Sequence, residues 1–184
     1  MKKYFYTLAL SSLLVMTSLT SFAASIDLKT SEFKWHATKV TGEHFGKIFL
    51  KSADLKLDAG KVVGGEFVMD ITGFTVDDLT GENATKLATH LKGTDFFDTA
   101  KFPTAKLVID SIDGNLAKGT LTIKSKSNPV EIEFTEVGTI YMGKLTFDRT
   151  KFDMIYGSGS FFKGLGDKVI HDQVELSFKV VTTK

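Results

Sequence analysis

Most of this chain alternates apolar and polar residues with a period of two, the pattern of a β-strand with one buried face. In the first such segment, Phe33, Trp35 and Ala37 share one face. Further segments of this kind cover residues 46–58, 66–72, 104–112, 120–123, 130–134, 140–147, 150–156 and 174–180. The apolar parity slips near Ser52 and again before Ile112, which predicts β-bulges at both places. The pattern therefore predicts eight or nine antiparallel strands joined mainly by short turns.

A single sheet of this length with one apolar face must curl onto itself or split into two layers. We expect closure, because eight antiparallel strands form a barrel that either fills with side chains or holds one small ligand. The predicted fold class is therefore an all-β, antiparallel barrel of eight or nine strands. Inward alternation is the same in a packed and in a hollow barrel, so both interiors stay open at this stage.

One stretch, residues 83–103, interrupts the alternation. Leu87 and Leu91 lie one helical turn apart, and Asn83 is the expected N-cap of a short helix. The segment Asp95–Asp98 follows and contains two adjacent phenylalanines, which cannot both face inward on one strand. We therefore expect a short helix and a turn that together form a lid on the barrel.

Residues 1–23 have the pattern of a signal peptide. Lys2 and Lys3 precede an apolar run, and Ser21-Phe22-Ala23 provides small residues where a signal peptidase cleaves. A transmembrane anchor is the alternative, but the run is short and is interrupted by Ser and Thr. We expect cleavage after Ala23, export to the periplasm or beyond it, and a single domain over residues 24–184.

The composition excludes several classes of function. Loss of Lys2 and Lys3 would leave 21 basic and 22 acidic residues, which is unlike the basic surface of a nucleic-acid-binding protein. The chain has no cysteine, so disulfides and thiolate metal sites are excluded. Its 16 phenylalanines, of which two lie in the predicted signal peptide, are a large aromatic load for one small domain to bury.

Catalytic and metal-binding patterns are weak. The histidines do not have the spacing of metal ligands, and we expect no metal site; they are His36, His44, His90 and His171. Asp95 and Asp98 bracket the two phenylalanines, so they come closest to a carboxylate pair in an apolar pocket, but capping of turns is the preferred interpretation. No nucleophile elbow or Ser/His/Asp arrangement is evident, and we predict no catalytic residues.

The glycine-rich segment 157–166 does not match a phosphate-binding loop, because the glycine spacing differs and a strand, not a helix, follows. We interpret it as a mobile loop that places Phe161 and Phe162 near an opening of the barrel. There the two rings either close over an apolar guest or fold back onto the core, and both interpretations stay open.

Three groups of residues resemble the YceI-like family, in the same order along the chain. They are His90-Leu91 with Asp95–Asp98 and Phe102-Pro103, then Gly119–Ile123 with Asn128–Val130, and finally Asp148–Phe152. The family comprises exported bacterial proteins with a lipocalin-like barrel that bind polyisoprenoid lipids, so the resemblance implies this fold and this class of ligand. Ser125 and Asp153 stand where the family usually has glycine.

We therefore expect a periplasmic carrier or sequestering protein for an isoprenoid or a similar long apolar lipid. The side chains expected to contact the lipid are Phe33, Trp35, Phe49, Phe67, Met69, Leu91, Phe96, Phe97, Phe102, Leu107, Phe134, Phe147, Phe152 and Phe161. No cofactor is expected other than a bound isoprenoid lipid or quinone, and no nucleic-acid partner or integral membrane span is expected. The oligomeric state stays open, with a dimer as one option.

Two alternatives belong to other classes of function. One is a structural or stress-response barrel that is filled by its own phenylalanines. The other, less favoured, is an enzyme acting on a lipid-like substrate with Asp95, Asp98 or His90 as acid or base.

Simple energetics sets a minimum length for an isoprenoid ligand. Each isoprene unit buries roughly four to five carbons and contributes about 3 kcal/mol. Association costs about 4 to 15 kcal/mol, so three or more units are needed to reach micromolar affinity, which corresponds to about −8 kcal/mol. A shallow pocket would not be enough.

Overall fold

The structure of the protein is a computed structural model that describes residues 23–59 and 61–183. Apart from Ala23, the predicted signal peptide lies outside these residues. The described residues form nine β-strands, one α-helix and two short 3₁₀ helices. In chain order the strands and the α-helix are β1 Ala23–Ile26, β2 Glu32–Lys39, β3 Gly42–Asp58, β4 Lys61–Asp70, α1 Gly81–Lys92, β5 Thr104–Asp113, β6 Leu116–Ile123, β7 Lys126–Val137, β8 Ile140–Asp148 and β9 Ile170–Thr183. The strand predicted over residues 150–156 is wrong, because Arg149–Phe152 forms one of the 3₁₀ helices and an irregular segment follows it.

Strands β2 to β9 form a closed antiparallel barrel. Each strand pairs with its neighbour in sequence, and β2 pairs with both β3 and β9, which closes the sheet. The short strand β1 adds to the end of β3 and then to the end of β9. The predicted fold class is confirmed: an eight-stranded barrel with one additional strand and one helix.

The alternation of the sequence becomes the inside and the outside of the barrel. On β5 and β6, Leu107 and Leu121 are paired and buried, whereas the neighbouring Lys106 and Thr122 are paired on the outer face. The same division continues around the barrel, and the inward apolar side chains form one continuous core. Burial of these side chains is the main favourable term for a domain without disulfides.

Both predicted β-bulges are present. The register of β3 against β4 shifts between Leu50 and Ser52, and that of β5 against β6 shifts between Ile109 and Ser111. On β3 the extra residue transfers the inward position from the parity of Leu50 to that of Ala53. Bulges increase the local twist and bend of a strand, so they help the sheet to close.

The two ends of the barrel are unlike each other. At one end, here called the turn end, the connections from β3 to β4, from β5 to β6 and from β7 to β8 are two residues each. The opposite end, here called the lid end, carries two long connections, residues 71–103 with α1 and residues 149–169. The helix begins at Gly81, two residues before the predicted N-cap, and Thr80 occupies the N-cap position.

The turn after α1 holds the predicted lid in place. The Phe97 N–H donates to the Leu91 carbonyl at 3.0 Å, and the Asp98 N–H donates to the Gly93 carbonyl at 2.8 Å. This folds the chain back under the helix and buries Phe96, which is 7% exposed. Two adjacent phenylalanines are thus accommodated by a turn, as the sequence predicts.

The turn between β6 and β7 is shorter than the gap, residues 124–129, that separates the two predicted strand segments. It consists of Lys124 and Ser125 alone, and both have positive φ angles, 49° and 62°. This backbone conformation matches the twist of a hairpin but strains any residue with a Cβ atom. Asp153 has the same left-handed conformation, with φ of 58°. The two positions where the family usually has glycine therefore keep a conformation that favours glycine.

We expect Ser125→Gly to stabilise the protein. Relief of the left-handed strain should outweigh the extra chain entropy of glycine and raise the free energy of unfolding by about 0.5 kcal/mol. Urea denaturation followed by circular dichroism measures this change. Ser127→Gly is the matched control, because Ser127 lies in regular strand β7 and glycine there should destabilise by about 0.5–1 kcal/mol. Equal effects of the two substitutions would contradict the strained-turn explanation.

Candidate ligand-binding cavity

A layer of aromatic rings divides the interior of the barrel. Phe33 stacks on Phe178 with a centroid distance of 6.1 Å, and it meets Phe67 edge-on at 6.4 Å. In the closed sheet β9, β2, β3 and β4 are consecutive neighbours, so these three side chains form a layer that extends into the barrel from one side. Two separate cavities lie on its two sides.

The larger cavity lies at the lid end and has a volume of about 280 Å³. Most of its wall is apolar: Trp35, Ala37, Ile48, Met69, Ile71, Phe74, Leu87, Leu91, Phe96, Phe97, Ala105, Leu121, Ile123, Phe147, Met154, Ile170, Val174 and Leu176. Its polar lining residues all come from the lid end of the barrel: Thr38, Lys39, His44, His90, Arg149 and Tyr156. Lys39, His90 and Tyr156 are partly or largely exposed, and they mark what we call the mouth of the cavity.

The smaller cavity lies toward the turn end and has a volume of about 60 Å³. It is bounded by the aromatic layer and by side chains such as Leu55, Ala117 and Val180. Tyr141 also lines it and donates its hydroxyl to Glu136 at 2.9 Å. Burial, together with this carboxylate, raises the pKa of Tyr141 to about 12. The phenol therefore stays neutral at any ordinary pH, and the interior at this end carries no charge from it.

Trp35 presents a flat apolar surface to the larger cavity. Its indole N–H donates to the Thr75 carbonyl at 2.9 Å, so its one polar group is satisfied at the wall. The Thr75 N–H in turn donates to the Lys47 carbonyl at 2.9 Å, which holds this segment against β3. A Cβ atom at Gly46 would lie 1.9 Å from the Thr75 carbonyl oxygen, so only glycine permits this close approach.

Aromatic contacts connect the lid to both long connections. Phe74 and Phe97 pack at 6.0 Å, and His90 on α1 meets Phe96 at 5.1 Å and Tyr156 at 4.7 Å. The helix is thus joined through His90 to the segment that follows β8. This arrangement covers the larger cavity and leaves its mouth beside Tyr156.

A buried arginine organises the segment that follows β8. Arg149 is 3% exposed. All of its N–H groups have partners: the carbonyl oxygens of Met154, Tyr156, Ile170 and His171, and the carboxylate of Asp172. Burial lowers the pKa of Arg149, while the carboxylates of Asp172 and Asp148 oppose that change. Since each donor is already bonded within the protein, the guanidinium acts as a structural centre of the cavity wall.

Asp172 extends this network into the glycine-rich loop. Its carboxylate accepts hydrogen bonds from the Ser158 hydroxyl at 3.0 Å and from the Ser160 hydroxyl at 2.7 Å. Ser158 is fully buried. The sequence shows Arg149 only as part of a motif and does not indicate its bond to Asp172 or the bond of Asp172 to Ser158, because these residues lie in different parts of the chain. The adjacent Asp148-Arg149 pair at a strand end was the available signal.

A second polar pair lies near the mouth. His44 donates from Nδ1 to Asp78 at 2.7 Å, and the Phe45 N–H donates to the same carboxylate at 3.1 Å. Burial acts to raise the pKa of Asp78, but these hydrogen bonds outweigh it and hold the pKa below the ordinary value of 3.8. The ionised carboxylate therefore ties the segment before α1 to the start of β3.

The structure distributes the predicted lipid-contacting residues over both cavities. The larger cavity is lined by Trp35, Met69, Leu91, Phe96, Phe97 and Phe147. The smaller cavity is lined by Phe33, Phe67, Leu107 and Phe134. Several residues with small or polar side chains, such as Ala105, Thr38 and Tyr156, also line the larger cavity and are absent from the set predicted from the sequence.

Four predicted residues line neither cavity. Phe49 is 47% exposed because it shares the outward parity of Lys47 on β3. Phe161 is 56% exposed on the glycine-rich loop. Phe102 is half-buried after the lid, with the Lys101 ammonium 5.1 Å from its ring centroid. Phe152 is 1% exposed and packs edge-on against Phe147 at 5.7 Å, so it supports the cavity wall from behind.

The candidate acid and base groups lie at the lid rim. His90 and Asp95 approach to 3.4 Å, and both side chains are substantially exposed. Asp98 occupies the turn with φ of 47°. Within residues 23–59 and 61–183, no cluster of three or more His, Cys, Asp or Glu side chains could hold a metal ion. Over the same residues, no helix has the length and hydropathy to cross a bilayer.

Comparisons with known proteins agree on one family. The family model described as YceI-like domain matches residues 19–182. A UPF0312 protein of Shewanella denitrificans is 31% identical, over 75% of each chain.

Solved structures share the fold at lower identity. Burkholderia cenocepacia BcnA is 24% identical with a TM-score of 0.67, over 86% of this chain and 100% of BcnA. A polyisoprenoid-binding domain from Saccharophagus degradans, implicated in plant cell wall breakdown, is 14% identical with a TM-score of 0.60, over 88% and 98% of the two chains. The YCEI protein of Campylobacter jejuni is 17% identical with a TM-score of 0.51, over 100% and 99%.

The Asp78 contact predicts a pH-dependent stability. Because the pKa of Asp78 is lower in the folded state, its carboxylate stabilises the fold above about pH 4, and this contribution is lost as the pH falls through the folded-state value. Asp78→Asn should therefore cost about 1–2 kcal/mol at neutral pH and less near pH 3. Urea denaturation at both pH values measures the difference.

Asp77→Asn is the control for this measurement, because Asp77 is exposed and its change should stay within about 0.5 kcal/mol. A cost of Asp78→Asn that is the same at both pH values would contradict the assignment.

Proposed function

The chain belongs to the YceI-like domain family, and we propose that it holds the hydrocarbon tail of an isoprenoid or similar lipid in the cavity at the lid end. The observation that carries this proposal is the cavity itself, an apolar space of about 280 Å³ whose polar groups gather at the mouth. A tail in the apolar part leaves water, and a polar head group at the mouth keeps hydrogen-bonding partners.

The relatives support the same class of ligand. The Saccharophagus degradans domain is described as polyisoprenoid-binding, and it shares the fold at 14% identity. Identity at that level supports the architecture and leaves the identity of the lipid to experiment.

The size of the cavity limits the tail. An apolar cavity of about 150 Å³ holds one benzene molecule, which corresponds to roughly 25 Å³ per carbon. The larger cavity would then take about 11 carbons, close to two isoprene units. Since about three units are needed for micromolar affinity, a longer tail has to occupy additional space.

The smaller cavity provides part of that space. It is separated from the larger one by the layer of Phe33, Phe67 and Phe178. Rotation of one of these rings would join the two cavities into a tunnel that runs along the barrel axis. We therefore propose that tails of three or more units displace this layer, whereas tails of two units leave it in place.

The proposed role follows from the expected location. If residues 1–23 act as a signal peptide, the mature protein works in an aqueous compartment next to membranes. A barrel that shields a hydrocarbon tail there is suited to carry or sequester a lipid. The alternative of a barrel filled by its own phenylalanines fits the half near the turn end, where the cavity is only about 60 Å³, but not the half under the lid.

Trp35 allows a direct test, because it is the single tryptophan and it lines the larger cavity. Protein refolded from denaturant, so that copurified lipid is removed, is titrated with prenyl alcohols of two, three and four isoprene units while the emission of Trp35 is recorded. We expect saturable changes with all three alcohols. We also expect the affinity to rise with tail length.

Two substitutions of small inward residues distinguish the contributions of the two cavities to binding. Ala105→Phe fills space in the larger cavity, and we expect it to weaken binding of every alcohol by about tenfold or more. Ala117→Leu fills the smaller cavity, so it should leave the two-unit alcohol unaffected and remove only the gain from longer tails. Unchanged binding in Ala105→Phe would contradict a tail in the lid-end cavity.

A further inference from the structure

The mouth of the cavity is surrounded by exposed hydrophobic side chains. Phe161 is 56% exposed and Phe162 is 45% exposed, on the loop between β8 and β9. Val40, at the turn between β2 and β3, is 57% exposed, and Tyr156 at the mouth is 46% exposed. All four residues belong to connections at the lid end of the barrel.

Backbone contacts place these connections side by side. The Val40 N–H donates to the Val169 carbonyl at 3.0 Å, so the β2–β3 turn lies against the last part of the loop. The Ile170 N–H donates to the Gly157 carbonyl at 2.8 Å, which closes the base of the loop. Tyr156 and Ile170, which flank that base, both line the cavity. The loop therefore rises directly from the edge of the mouth.

The loop is held at its base, and its tip faces solvent. Ser158 is fully buried and bonded to Asp172, and its carbonyl accepts from the N–H groups of Phe161 and Phe162 at 3.2 and 3.0 Å. This turn directs the two rings away from the core. Of the two interpretations that the sequence leaves open, the exposure of both rings excludes burial against the core.

The charges beside these rings are mostly positive. Lys163 follows the phenylalanines directly, Lys168 lies farther along the loop, and Lys39 lies at the mouth. The acidic residues between β8 and β9 are Asp153 and Asp167. Aromatic rings flanked by lysines suit the boundary between lipid head groups and acyl chains, where the rings lie among the lipids and the ammonium groups reach the phosphates.

We propose that the lid end docks on a lipid bilayer, with Phe161 and Phe162 inserted at the interface and the mouth of the cavity facing the membrane. This inference goes beyond lipid holding, because it concerns a second contact with lipid on the outer surface. It gives a tail a route between the bilayer and the cavity that avoids bulk water.

The size of the surface favours a bilayer over a protein partner. A phenylalanine side chain buries about 150–250 Å², so four residues that are about half exposed offer roughly 400 Å². A stable protein interface needs about 800 Å² on each partner. Reversible membrane binding, by contrast, requires only a few apolar side chains supported by basic residues.

Cosedimentation with vesicles tests the proposal. The probes are vesicles of phosphatidylethanolamine, with and without phosphatidylglycerol, that contain no isoprenoid. We expect the wild-type chain to bind, and to bind more tightly with phosphatidylglycerol because of the lysines. The double variant F161S/F162S should lose about tenfold or more of its partition coefficient, since both rings leave the interface.

A matched control removes exposed apolar side chains from the opposite end. Leu28 and Val137 are 46% and 63% exposed near the turn end, and L28S/V137S should bind vesicles within about twofold of the wild type. Titration of F161S/F162S with the two-unit prenyl alcohol in solution distinguishes a loss of membrane docking from a loss of lipid binding in the cavity. A normal Trp35 response there shows that lipid holding survives without docking.

Three results would overturn the docking proposal. These are no vesicle binding by the wild type, equal binding by F161S/F162S, or equal losses in F161S/F162S and L28S/V137S. If F161S/F162S instead changes the oligomeric state in sedimentation velocity and leaves vesicle binding intact, the surface is a protein interface and the proposal also fails.

Discussion

The pairing of β2 with both β3 and β9 is the interaction on which the rest of this structure depends. It closes the sheet, and closure converts a period-two pattern into an enclosed apolar interior. It also fixes the number of strands, and eight strands leave a space that is close to the limit of what side chains can fill. Whether that space is packed or hollow then depends on which side chains point inward at each level of the barrel.

The inward side chains differ in size from one level of the barrel to the next, and this difference produces the larger cavity. In the middle, Phe33 packs against both Phe67 and Phe178, and these rings occupy part of the cross-section. One step toward the lid, the inward residues paired on β4 and β5 are Met69 and Ala105, and Ala105 is too small to reach across. The lid contributes its own rings at the rim and does not fill the centre. The larger cavity is thus a consequence of small residues beneath a helix that covers the opening without entering it.

Much of the fold could be predicted from the sequence, because strand alternation is a local signal. The slips at Ser52 and before Ile112 identified the bulges, and the adjacent Phe96 and Phe97 required a turn. The cavity could not be predicted in the same way, since its volume depends on contacts between distant strands. The set of predicted lipid-contacting residues included Phe49 because it is aromatic, but its side chain faces outward from the barrel. The partners of Arg149 could not be predicted either, because backbone carbonyl groups are not specified by side-chain identity.

Xenon binding tests whether the lid end of the barrel encloses an apolar space that side chains leave unfilled. Crystals of protein freed of copurified lipid are pressurised with xenon and the anomalous density is mapped, since apolar cavities of this size stay dry and take up xenon. We expect xenon beside Met69, Ala105 and Leu121, in the cavity of about 280 Å³. Side chains that fill this space, or ordered water in place of xenon, would contradict it.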